Sequence, residues 1–266
     1  LMNRIHKLFE NKKENILSIF FTAGFPQRDH TREIILRLAE AGADLIEIGM
    51  PFSDPIADGN TIQMSNNVAL NNGITLELIF EQLQDIRSEV EIPLILMGYI
   101  NPVIQFGIEQ FVQAASDVGV DGFILPDLPM MEYEEIYKPM FEERGLSNIF
   151  LITPQTSEAR IRQIDALAQA FIYMVSMDST TGRTGAFTEK QLAYFDRIER
   201  MKLRNPRLIG FGISDHQTFS SACQYAQGAI IGSAFIKALQ QEAPLGQIIP
   251  DFVQRVRGAR QTTETV

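Results

Sequence analysis

Eight times along the chain, a short run of Ile, Val, Leu and Phe bounded by turn residues is followed by a segment with the 3.6-residue apolar period of a helix. No other feature constrains the fold as tightly. The runs fall at residues 17–22, 44–48, 93–97, 122–125, 148–152, 171–175, 208–211 and 229–231, with an extra N-terminal helix over residues 2–10. Helices are expected at 29–41, in a long region ending near Val90 and broken at Asn71-Asn72-Gly73, and then at 108–118, 131–144, 157–167, 189–202, 215–226, 233–240 and 244–257. Strand-then-helix repetition without a break in composition implies parallel strands joined by right-handed crossovers. Eight units favour a closed (β/α)8 barrel of the TIM type, one domain spanning residues 1–266. An open doubly wound sheet is the alternative. It would usually carry a Gly-rich phosphate loop after its first strand, where this chain reads Thr22-Ala23-Gly24-Phe25-Pro26.

In such a barrel the reactive groups stand at the C-terminal ends of the strands. The second strand is the most informative. Glu47 sits between Ile46 and Ile48, so it points to the opposite face from both in a strand that is apolar enough to be covered on its two sides. Desolvation there raises a carboxyl pKa toward neutrality, as a group that both gives and takes a proton requires. The strand then breaks into Gly49-Met50-Pro51-Phe52-Ser53-Asp54-Pro55-Ile56-Ala57-Asp58-Gly59, the composition of a long functional loop that can bring Asp58 back over the same cavity. The plainer readings are a strand-edge charge for Glu47 and backbone-bonding turn residues for Asp54 and Asp58. Other strand-end residues are Tyr99, Asp127, Thr153, Tyr173 and Ser176, with Phe20, Met97, Ile124 and Phe211 as apolar walls.

Phosphate has three candidate cradles: Thr181-Gly182 after strand six, Gly210-Phe211-Gly212-Ile213-Ser214 after strand seven, and Gly232-Ser233 after strand eight. Glycine lets backbone N–H groups approach an anion, and Ser233 opens a helix whose dipole favours negative charge. The formal net charge of -10 argues against nucleic acid or an anionic membrane as partner. Neither a membrane span nor a signal peptide is recognisable. A single cysteine, Cys223, suits a reducing cytoplasm and reads as a small core residue. The three histidines are scattered, so no metal cluster is expected at the strand ends, and no lysine falls on a strand to form a Schiff base. What is left is acid/base work on a substrate with an apolar part and a phosphate tail.

These residues resemble the tryptophan synthase α subunit family. The segment from Glu47 through Pro51-Phe52-Ser53-Asp54-Pro55 to Ala57-Asp58-Gly59 is similar to its signature. So are Tyr99-Ile100-Asn101-Pro102, Pro126-Asp127-Leu128-Pro129, Tyr173, Thr181-Gly182, residues 210–214 and Gly232-Ser233. The resemblance implies a (β/α)8 barrel that cleaves indole-3-glycerol phosphate to indole and glyceraldehyde 3-phosphate without a cofactor. It implies Glu47 as the proton shuttle at indole C3 and the glycerol hydroxyl, and Asp58 as the holder of the ring N–H. Tyr173 would lie close to Glu47 and the substrate hydroxyls, and Tyr99 would also contact substrate. Phe20, Ile124 and Phe211 would wall the indole, with Thr181, Gly182, Gly212, Gly232 and Ser233 at the phosphate. It further implies a pyridoxal-phosphate β subunit as partner in an α2β2 heterotetramer. Asn60 departs from the family's usual proline, and residues 177–182 depart from its usual loop. Competing readings are another phosphate-binding barrel isomerase, a stand-alone lyase releasing free indole, and a non-catalytic activator of the β subunit.

Overall fold

The computed structural model describes residues 3–55, 58–176 and 187–258. Nine parallel strands run in the order β5-β4-β3-β2-β1-β9-β8-β7-β6. They are β1 (Ile16–Thr22), β2 (Leu45–Gly49), β3 (Leu94–Met97), β4 (Gly122–Ile124), β5 (Ser147–Asn148), β6 (Phe150–Ile152), β7 (Ile172–Val175), β8 (Arg207–Gly210) and β9 (Gly228–Ile231). The order is open only between β5 and β6, and those are consecutive pieces of one run separated by Ile149. β5 pairs with β4, the Ile149 N–H donates to Phe123 O at 2.9 Å, and β6 pairs with β7. The expected fifth strand over 148–152 is therefore two pieces, and the barrel has eight positions. One strand must serve neighbours on two sides while it tilts around the ring, and here it gives its first half to one and its second half to the other.

Alternation along the strands divides the apolar residues into two clusters. Ile16, Leu45, Ile95, Ile124, Ile149, Tyr173, Leu208 and Ile230 fill the barrel interior. Their neighbours Leu17, Ile46, Leu94, Phe123, Ile172 and Ile209 face the surrounding helices. Each such buried side chain contributes about 1.5–3 kcal/mol relative to exposure. The N-terminal helix, Arg4–Asn11, plugs the lower end by adding Ile5 and Phe9 to the interior cluster, with the Phe9 and Phe171 rings 5.6 Å apart. Among the described residues no helix is long and apolar enough to cross a membrane.

Two further departures from the expected elements have local causes. A helix at Ile100–Phe106 was not anticipated, because it is short and carries Pro102 in its first turn, a position that tolerates the missing N–H. Asp127 from the next loop completes it by accepting from the Ile100 N–H at 2.9 Å. The single helix expected over 131–144 contains a π-helical turn, Tyr133–Tyr137, immediately before the segment bearing Pro139. Smaller shifts occur at ends: Phe211 lies beyond β8, and Cys223 follows the helix His216–Ala222 instead of lying within it. Cys223 is half-buried, and burial pushes its thiol up to about 11, as for a packing residue.

Candidate active site

The interior parity of β2 places Glu47 inside the barrel, level with Phe20 on β1 and Ile95 on β3. Its residue is fully buried. Oε1 accepts a hydrogen bond from Ser18 Oγ at 2.8 Å, and Oε2 is buried with no hydrogen-bond partner among the described residues. Burial pushes the carboxyl up to about 8, and the Ser18 hydroxyl pulls it back only in part. Glu47 is thus mostly protonated at pH 7. An acid held near neutrality can give a proton and recover it within one cycle.

Asp58 comes from the loop after β2, two residues before the helix Asn60–Asn71. Asn60, where the family commonly has proline, is the first helical residue. Gln63 Nε2 on that helix donates to Asp58 O at 2.7 Å, and Asn66 Nδ2 lies 3.5 Å from Asp58 Oδ2. The carboxyl is half-buried and raised above the ordinary range by burial, while hydrogen bonds from Tyr99 and Asn66 act in the opposite direction. Asp58 lines a small pocket with Phe20, Asn66, Met97, Gly98, Tyr99 and Pro126. Gly49 is required there, since a Cβ would stand 2.6 Å from the Phe20 ring.

Tyr173 on β7 is buried, and its hydroxyl is raised well above 10, first by burial and then by the carboxylates of Glu47 and Asp58. It therefore feels both acids and stays a phenol, a hydrogen-bond donor. Its hydroxyl packs so tightly over Gly210 that any side chain there would collide with it. Phe211 then turns with φ +70°, a conformation that costs a bulky residue of order 1–3 kcal/mol. Ser176 Oγ lies 2.9 and 2.7 Å from the carbonyls of Gly210 and Phe211 and holds the turn. The Phe211 ring is 38% exposed and meets Tyr173 edge-on at 6.3 Å, at the rim of the interior.

The structure therefore gathers Glu47, Asp58, Phe20, Tyr99 and Tyr173 at one end of the barrel, with Ile124 in the interior cluster. Gly212, at φ +76°, follows Phe211 on the loop after β8. Gly232 and Ser233 follow β9, where Ser233 opens the helix Ser233–Ala238. Thr181 and Gly182 lie outside the described residues. Asp54 is exposed and accepts from the Ser53 side chain, Oγ at 2.5 Å, a side-chain contact where its plainer reading expected a bond to its own backbone. Sequence reasoning missed Ser18 and Asn66. Ser18 was legible as a polar residue two positions before Phe20 on the same strand face, and Asn66 as a side chain on the second turn after Asp58. Among the described residues no three His, Cys, Asp or Glu side chains gather to form a metal site.

The family model described as tryptophan synthase alpha chain matches residues 6–261. The chain is 54% identical over 257 residues to the tryptophan synthase alpha chain of Flavobacterium johnsoniae, covering 96% of this chain and 100% of that one. It is 56% identical over 241 residues to that of Flavobacterium psychrophilum, covering 90% and 94%. Among solved structures, tryptophan synthase subunit alpha of Legionella pneumophila superposes with a TM-score of 0.86 at 32% identity, covering 97% of this chain and 98% of that chain. The tryptophan synthase complex of Pyrococcus furiosus superposes with a TM-score of 0.83 at 33% identity, covering 92% and 99%. With its barrel, the match over nearly its whole length and these identities, the chain belongs to the tryptophan synthase alpha chain family.

Proposed function

We propose that Glu47 and Asp58 are the groups with which this chain performs the α reaction of its family, the cleavage of indole-3-glycerol phosphate to indole and glyceraldehyde 3-phosphate. The observation that carries this reading is the fully buried Glu47 carboxyl, with one oxygen unpartnered among the described residues and its pKa moved to about 8, in the barrel that also presents Asp58. Protonated Glu47 gives its proton to indole C3, so the ring becomes the electron sink that a lysine Schiff base supplies elsewhere. The carboxylate left behind takes the proton of the glycerol hydroxyl next to the breaking C–C bond. Indole and the aldehyde separate, and Glu47 ends protonated as it began. Asp58 accepts the ring N–H and stabilises the cationic intermediate, Tyr173 donates to substrate oxygen, and Tyr99 holds Asp58. Backbone N–H groups at Gly212, Gly232 and Ser233 would receive the phosphate.

Release of indole from indole-3-glycerol phosphate by the purified chain tests the reaction directly. Asp58→Asn keeps the shape and removes the charge. Loss of a hydrogen bond to a charged group is worth about 2 kcal/mol, so kcat/KM should fall roughly thirtyfold in the same assay. An unchanged value would remove Asp58 from the mechanism.

The partner is a β subunit, a reading supported by the tryptophan synthase complex among the structural neighbours, and the family resemblance implies that it consumes the indole in an α2β2 assembly. Ile104, Met131 and Ile136 are the large apolar side chains most exposed among the described residues, at 51, 70 and 55%. They stand on the segments that follow β3 and β4, beside the end of the barrel from which indole leaves, and this face is where we place the partner. Met131→Asp should weaken its binding about tenfold in a titration of β subunit, with cleavage by the isolated chain unaffected. The single cysteine fits a cytoplasmic enzyme.

A further inference from the structure

Glu47 has one hydrogen-bond partner among the described residues, the hydroxyl of Ser18, and both residues are fully buried. Ser18 lies on β1 on the same face as Phe20, paired in register with Leu45 and Ile230. On the inward face of β1, Ser18 lies one pleat below Phe20, which is level with Glu47, so it approaches the carboxyl from the interior of the barrel. We propose that Ser18 is a positioning residue for the proton shuttle: its hydroxyl fixes Oε1 of Glu47 and leaves Oε2 as the oxygen that exchanges protons with substrate. The proposal rests on the reading of Glu47 as the shuttle.

The surroundings leave Ser18 little competition. Glu47 lies level with Phe20 on β1 and Ile95 on β3, neither of which can hydrogen-bond it. The titratable groups that sense it are Tyr173 on β7 and, acting on that same tyrosine, Asp58 from the loop after β2. Among the described residues no lysine, arginine or histidine enters the balance that sets the Glu47 carboxyl. A hydroxyl donor stabilises the carboxylate over the acid, so Ser18 decides both which oxygen is free and how readily the acid releases its proton.

The test titrates Glu47 in two ways. Protein labelled with carboxyl-13C glutamate gives the Glu47 signal, assigned by its loss in Glu47→Gln, and the pH dependence of kcat/KM for indole release gives the alkaline limb. In Ser18→Ala both should move upward by about one pH unit, with KM changed less than twofold. Ser18→Cys, nearly isosteric with a weaker donor, should fall between. Thermal unfolding of each variant establishes that it is folded. If Ser18→Ala leaves the signal and the limb where they are, the positioning role is overturned. It is also overturned if the signal moves and the limb does not. If Glu47→Gln still releases indole, the reading of Glu47 itself fails, whatever Ser18 does. A silent Glu47→Gln beside an unshifted Ser18→Ala removes Ser18 alone.

Discussion

Glu47→Gln is expected to reduce indole release from indole-3-glycerol phosphate by on the order of 10² to 10⁴, the range that a positioned acid/base group supplies. Glutamine keeps the volume and can still accept the Ser18 hydrogen bond, so the barrel interior around Phe20 and Ile95 is not disturbed. What it lacks is a proton to give to C3. Because one carboxyl gives a proton and then takes another, both half-steps fail together, and the loss should appear in kcat with KM nearly unchanged. The assay is run with and without β subunit, and the mutant should be equally poor in both. The wild-type profile should decline above pH about 8, where the buried carboxyl loses its proton. Cleavage by Glu47→Gln at near the wild-type rate would end the assignment and leave the isomerase and activator readings in play.

The same substitution should stabilise the protein. Glu47 is fully buried and titrates near 8 when folded, against 4.5 as a free side chain. The folded state therefore holds the proton more tightly than the unfolded chain, so stability is lost as pH rises from about 4.5 and the loss is complete near 8. At pH 7 the cost is about 3 kcal/mol. Glu47→Gln removes it, so denaturant unfolding should show a gain of about that size at pH 7, a slightly larger one at pH 8.5, and almost none at pH 4. A difference that stays flat across this range would mean that the carboxyl is not desolvated in the fold. The two predictions share one cause: the burial that makes Glu47 a usable acid at neutral pH also destabilises the chain that carries it.

Much of this was legible in the residues. The eight apolar runs marked all eight barrel positions, because a strand covered on both faces must be apolar nearly throughout, and an acid flanked by Ile46 and Ile48 within such a run stands out. The split at Ile149 was not legible, since pairing partners come from strands distant in sequence. The helix Ile100–Phe106 was hidden by its brevity and its proline, and its capping group, Asp127, comes from another loop.

The alternation of strand and helix, the inward face of β2 and hence the burial of Glu47 are written in the order of the residues. These follow from periodicity and hydrophobicity, which act between near neighbours. That Ser18 hydrogen-bonds Glu47, that Tyr173 feels both carboxylates, and that its hydroxyl packs against Gly210 depend on contacts between strands far apart in the chain. Closing the barrel brings β1, β2, β7 and β8 around one interior, and neither the Ser18–Glu47 hydrogen bond nor the raised carboxyl pKa exists until water has been excluded from that space.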